Sequence, residues 1–319
     1  MITKEINFAV EVLNNNNLVA IPTETVYGLA GNALNTEAVS KIFKLKNRPF
    51  YNPLIVHLKS IEFLPQIARN IPSKACKLAQ DFWPGPLTLV LDKNPNVPDL
   101  VTSGKSTVAV RVPNHPLSLA LLQKLNFPLA APSANPFGSI SPTSAAHVDH
   151  YFQNDLEVIL DGGQCQRGIE STIIGFKDGD PIVYRLGSLS LDEIQQSVGK
   201  VKTLETKTSK QPEAPGMLSR HYAPKTDTVL TEHVRETIQA FPHEKIGVLL
   251  FKNRLTNDTV YSQEVLSESG DLNEAARNLY AAMHRLDQLD LDKIIAEKLP
   301  EFGLGLTLND KLTRATKKA

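Results

Sequence analysis

Apolar positions recur with helical spacing over residues 3–13, where Ile6, Val10 and Leu13 share one side. Four asparagines at 14–17 break that period, and the apolar run 18–21 reads as a short buried strand stopped by Pro22. Asn35 stands where a cap is needed for a helix over 36–46. That helix must end before Pro49, because the residue preceding a proline is pushed out of helical geometry. Apolar, partly β-branched runs at 54–56, 87–91, 108–112, 127–131, 156–160, 173–176 and 182–185 predict further strands. Helix signals fall within 60–80 and near 145–150. The stretch 199–214 is polar and without period, and reads as a linker. Beyond residue 225 a strand is expected at 245–251. A helix follows over 272–289, with Ala275, Leu279, Met283 and Leu286 on one face, then a short strand at 294–295 and a last helix over about 308–316. The basic tail 311–318 reads as a solvated chain end.

This order of elements predicts two α/β units. A length of 319 residues favours two domains and suffices for a sizeable core. Hydrophobic residues make up 41% and charged residues 21%, as in soluble globular proteins. Zero formal net charge removes any general demand for nucleic acid or an anionic membrane. Cys76 and Cys165 form neither a disulfide framework nor a metal-ligand spacing. The first residues are too polar for a signal peptide, and no apolar run reaches membrane-spanning length, so a cytoplasmic protein is expected.

The candidate chemistry sits where strands end. Lys46 and Arg48 lie where a helix gives way to a loop beside a strand, a place suited to an anion, with arginine supplying a fork and lysine a point charge. Polar residues follow buried strands directly at Thr23-Glu24-Thr25 and Ser133-Ala134-Asn135, as ligand contacts do in α/β folds, and the run Gly168 to Thr172, with Glu170 and Ser171, leads into the strand 173–176. Arg111 sits in an apolar strand and must be paired, either by a structural carboxylate or by a ligand anion. Ser103-Gly104-Lys105-Ser106-Thr107 imitates the end of a P-loop, but Asp99 stands where that pattern needs glycine and a strand follows instead of a helix. Cations with hydroxyls and no metal cluster, nucleophile elbow or Cys–His pair suit a polyanionic ligand and a reaction driven by positioning, such as nucleotidyl transfer. A nucleic-acid-binding module would use the same cations on phosphates.

Thr23-Glu24-Thr25-Val26-Tyr27-Gly28, Lys46-x-Arg48-Pro49 with Asn52-Pro53-Leu54, Val110-Arg111-Val112-Pro113 and Ser133-Ala134-Asn135 resemble the YrdC-like threonylcarbamoyl-AMP synthases. Gly168-Ile169-Glu170-Ser171-Thr172, Arg185-x-Gly187 and Pro215-Gly216-Met217 with His221-Tyr222-Ala223-Pro224 resemble the long, two-domain form. The resemblance covers nearly the whole chain. It implies a twisted YrdC-like α/β catalytic domain with a concave positive cleft (1–198), a linker or lid (199–224) and a smaller Rossmann-like α/β domain (225–319). It implies formation of threonylcarbamoyl-adenylate and pyrophosphate from L-threonine, bicarbonate and ATP. A separate transferase would use that product to make threonylcarbamoyladenosine in tRNA, with at most a weak direct tRNA contact and no membrane. By resemblance, Lys46, Arg48, Ser133 and Asn135 form the catalytic signature. Thr25, His57, Arg111, Ala131 and Ser171 would hold threonine. Arg48, Asn52, Thr107, Ser133, Ser141, Arg185 and Tyr222 would hold ATP, and Mg²⁺ would arrive on the phosphates. Asn47 departs from the glycine often found there, so the local backbone is expected to differ. The C-terminal segment 303–310 matches loosely, and no site is assigned to that domain. Carbamoyl transfer to another acceptor stays open beside the RNA-binding reading.

Overall fold

A computed structural model describes residues 1–203, 214–216, 221–256 and 260–317. The expected linker's central part, 204–213, and residues 217–220 lie outside these. Among the described residues the first part of the chain builds a mixed twelve-stranded sheet and the second a four-stranded one. Three strands of the large sheet set up the site. Ile55–His57 runs parallel to Thr107–Arg111 and antiparallel to Leu129–Ala130. The register sets His57 beside Arg111, so the two point to one face.

The helix Thr36–Lys46 begins as expected, with the Asn35 side chain accepting from the Ala38 N–H. It ends at Asn47, whose φ of 50° is left-handed. Glycine takes that conformation freely and asparagine tolerates it, so the departure from glycine keeps the same kind of helix stop. The helix buries Ala38, Val39, Ile42, Phe43 and Lys46. Lys46 is therefore no solvated helix end: it shares the apolar stripe and is 1% exposed.

The small sheet is parallel throughout, in the order Asp227–Thr231, Lys293–Glu297, Ile246–Leu250, Ser262–Val265. Its central strands are the apolar runs that the sequence announces. Its edge strands carry mixed polar residues and gave no such signal, because an edge strand is less covered than a central one. The polar stretch after residue 199 contributes the strand Lys202–Thr203, which pairs with Asp180–Arg185.

The expected solvated tail is overturned. Lys311 and Arg314 belong to the helix Leu304–Ala315 and are 1% and 8% exposed. That helix and Leu272–Asp287 pack toward the first part of the chain. Their apolar cluster, with Leu279, Met283 and Leu308, takes in Val26, Ile140 and Ile169. Among the described residues no helix is long and apolar enough to cross a membrane.

Candidate active site

Arg48 leaves the helix stop and turns back inward, donating from Nε to the Asn52 carbonyl (3.0 Å) and from Nη2 to the Pro53 carbonyl (2.7 Å). Arg185, at the end of Asp180–Arg185, donates to the Ser171 carbonyl (2.8 Å) and hydroxyl (3.1 Å) and to the Pro215 carbonyl (3.3 Å). Lys46 Nζ donates to the carbonyls of Ser133 (2.5 Å) and Asn135. Among the described residues none of these three cations meets a carboxylate. Carbonyls satisfy their N–H groups without cancelling their charge. Burial, helped by Arg185, pulls Arg48 down to about 9, so it remains a cation at neutral pH. Burial, then Arg48, pushes the Lys46 amine well below its usual value.

Arg111 is different. It too is buried, but Nη2 lies 2.7 Å from the Glu24 carboxylate, Nη1 donates to the Thr25 hydroxyl (3.0 Å) and Nε to the Gly85 carbonyl (3.2 Å). The partner demanded by its apolar strand is thus a structural carboxylate. The Thr25 hydroxyl donates a hydrogen bond to Thr23 Oγ1 (2.8 Å), which donates to the Val26 carbonyl (2.6 Å). Burial, then Arg111, pulls His57 down to about 3, so its ring is neutral.

These groups converge on one cleft. Thr25, Arg48, His57, Arg111, Ala131, Ser133, Ser171 and Arg185 line it, together with Glu170, Pro215, Gly216 and His221. Other expected residues stand one contact behind the wall. Lys46 braces Ser133 and Asn135, Asn52 receives Arg48, and Asn135 Nδ2 donates to the carbonyls of Pro136 and Ser139 (both 2.9 Å). Ser141 donates to Glu170 (2.6 Å), and Tyr222 packs against His221 at 4.1 Å between ring centres. Thr107 does not line the cleft and begins the strand that Arg111 ends. The cleft combines an excess of fixed positive charge with aligned hydroxyls, an arrangement that can hold a polyanion and stabilise charge building on it.

Residues 11–187 match the family model described as "Telomere recombination", and residues 189–316 the one described as "Threonylcarbamoyl-AMP synthase, C-terminal domain". The chain is 41% identical to the threonylcarbamoyl-AMP synthase of Pyrococcus abyssi, across 98% of this chain and 94% of that protein. The chain belongs to the threonylcarbamoyl-AMP synthase family. The synthase of Bacillus subtilis is 40% identical, with 96% and 91% covered. The fold agrees with the crystal structure of P. abyssi Sua5 complexed with L-threonine at a TM-score of 0.92 and 40% identity, over 99% of this chain and 97% of that one. As a member of this synthase family, the chain is a nucleotidyltransferase enzyme.

Several residues of this synthase escaped the sequence reading. Tyr280 donates to Glu170 (2.8 Å), Lys311 to the Leu186 carbonyl (3.0 Å) and the Tyr222 hydroxyl (3.2 Å), and Arg314 to the Gly216 carbonyl (2.7 Å). The second part of the chain, to which no site was assigned, therefore braces the cleft wall. His284 Nε2 donates to the Ser141 carbonyl (3.2 Å), and its ring stacks on His147 at 4.0 Å.

Burial holds His284 to about 3 and His147 to about 4. The unfolded chain binds protons near 6.5 that the folded state refuses, so stability is lost as pH falls from about 6.5 toward 4. A falling Tm across that window is expected, with a shallower fall in His284→Asn. An identical slope in wild type and variant contradicts the assignment.

Proposed function

We propose that this chain joins L-threonine, bicarbonate and ATP into threonylcarbamoyl-adenylate and pyrophosphate. The observation that carries the reading is the sorting of charge along one cleft. Arg48 and Arg185 keep their charge unbalanced by any carboxylate among the described residues, whereas Arg111 is neutralised by Glu24. The unbalanced arginines suit a triphosphate and the paired one a small zwitterion.

In this reading Arg48, Ser133 and Arg185 take the phosphates, aided from behind by Lys46, Asn52, Asn135, Ser141 and Tyr222. Thr107 would meet only a part of ATP that reaches beyond the cleft lining. Thr25, His57, Arg111, Ala131 and Ser171 take threonine, and Arg111 still has N–H groups to offer a carboxylate. Neutral His57 and His221 add no competing charge. The threonine nitrogen and bicarbonate give an N-carboxylate with loss of water. A carboxylate oxygen then bonds to the α-phosphorus as the bond to the β-phosphate oxygen breaks, and pyrophosphate leaves. Arg48 and Arg185 offset the charge that gathers on the phosphate oxygens.

Mg²⁺ fits as an ion carried in by ATP, whose charge it neutralises. Among the described residues no three His, Cys, Asp or Glu side chains gather to hold a metal, and both oxygens of Glu170 already accept from Ser141 and Tyr280. We take 1–198 as the catalytic domain, 199–224 as a tether whose Pro215, Gly216 and His221 close the wall, and 225–319 as the bracing domain. Closure shields a hydrolysable intermediate from water. The product then passes in the cytoplasm to a separate tRNA threonylcarbamoyl transferase. Mass spectrometry of the reaction with ¹³C-bicarbonate tests this: the label is expected in a species combining threonine, one carboxyl carbon and AMP. AMP formation with unlabelled adenylate contradicts it.

A further inference from the structure

Glu24 touches neither substrate in the reading above, where it serves only to neutralise Arg111, yet it is bound to three separate parts of the chain. It is 3% exposed and does not line the cleft. One carboxylate oxygen meets Arg111 Nη2 at 2.7 Å, and the other accepts the Asn114 N–H at 3.0 Å. Its carbonyl accepts the Arg167 N–H at 2.7 Å. One residue thus ties together the turn after Ile21, the end of the strand Thr107–Arg111 and the segment leading to Ser171.

We propose that Glu24 is a positioning residue that sorts the two substrates. It fixes the fork of Arg111 and cancels its charge, so that this end of the cleft takes the single carboxylate of an amino acid and turns away phosphate. The inference rests on the assignment of threonine to the Arg111 end. Four cations, Lys46, Arg48, Arg111 and Arg185, lie on or just behind one cleft, and a triphosphate is drawn to any that stays unbalanced. Without a carboxylate at Arg111, ATP would have two ends to choose between, one of them unproductive. With Glu24 in place only the Arg48–Arg185 end keeps its full attraction. The same pairing restrains Arg111, which also holds the Thr25 hydroxyl, so amino-acid geometry and charge sorting depend on one side chain.

The test is steady-state kinetics on full-length Glu24→Gln, with inorganic tripolyphosphate as the probe. In wild type, tripolyphosphate should compete with ATP and not with threonine. In Glu24→Gln the threonine KM should rise about tenfold or more, as loss of a charged contact does. Its ATP KM should stay within about twofold, and tripolyphosphate should become competitive with threonine. A general loss of structure lowers kcat but creates no such competition. Glu24→Asp keeps the charge at shorter reach: the threonine KM should rise about threefold without new competition by tripolyphosphate, and it decides the matter if Glu24→Gln does not fold. A threonine KM at the wild-type value in both variants, or competition absent from Glu24→Gln, overturns the inference while the synthase reading stands. A wild-type enzyme indifferent to threonine overturns both.

Discussion

Arg48→Ala should lower turnover by about a thousandfold, in keeping with removal of a fixed donor from developing negative charge. The protein should stay folded. The lost donors leave two carbonyls, of Asn52 and Pro53, short of a partner, a cost of about 1–3 kcal/mol each when buried. Against this, removing one of several crowded cations relieves repulsion with Lys46 and Arg185, which the depressed values of Lys46 and Arg48 already betray. Relief of that repulsion offsets part of the cost, and the protein is expected to remain folded with a lowered Tm. Arg48→Lys separates charge from geometry: it keeps the cation but not the fork, and should recover only part of the activity. The measurement is kcat by pyrophosphate release beside a thermal melt. Turnover unchanged in a folded Arg48→Ala removes the phosphate role.

A chain ended at residue 203 should lose both activity and solubility. Deletion takes Pro215, Gly216 and His221 out of the cleft wall. It strips Glu170 of Tyr280 and the Leu186 carbonyl of Lys311. It also bares Val26, Ile140 and Ile169, which are 7%, 1% and 0% exposed in the full chain. Uncovering such side chains costs about 1.5–3 kcal/mol apiece, comparable in sum to the whole stability of many domains. The expected result is aggregation or a strongly lowered Tm, and little turnover in whatever remains soluble. A monomeric truncation with full activity would show that the second domain is a passenger.

Much of the site could be read from the sequence, because strand ends and residue types carry it. Arg111 and Arg185 close apolar strands, Ser133 follows one, Ser171 leads into one and Arg48 follows a helix stop, and each faces the cleft. The partners were harder. Which carboxylate meets Arg111 depends on how the turn holding Glu24 folds back on a strand end 87 residues on, and spacing alone does not give that. Lys311 was misjudged for another reason: charge was given more weight than period. Lys46 falls four residues after Ile42 and eight after Ala38, and Lys311 falls seven after Leu304 and four before Ala315, all buried. A cation on the apolar stripe of a helix is a buried cation needing partners, and that signal was present in both helices. The edge strands Asp227–Thr231 and Ser262–Val265 gave no comparable sign, since polar residues are tolerated on a half-covered strand.

The most direct test of the account is pyrophosphate release from ATP by the full chain, with threonine and bicarbonate omitted in turn. The account predicts release that needs both, since the attacking carboxylate comes from bicarbonate and the nitrogen that bears it from threonine. Release that continues without threonine would contradict the assignment of the Arg111 end and point to carbamoyl transfer to another acceptor. No release from folded protein, together with tight, salt-sensitive tRNA binding, would make the cations of this cleft an RNA-binding surface instead.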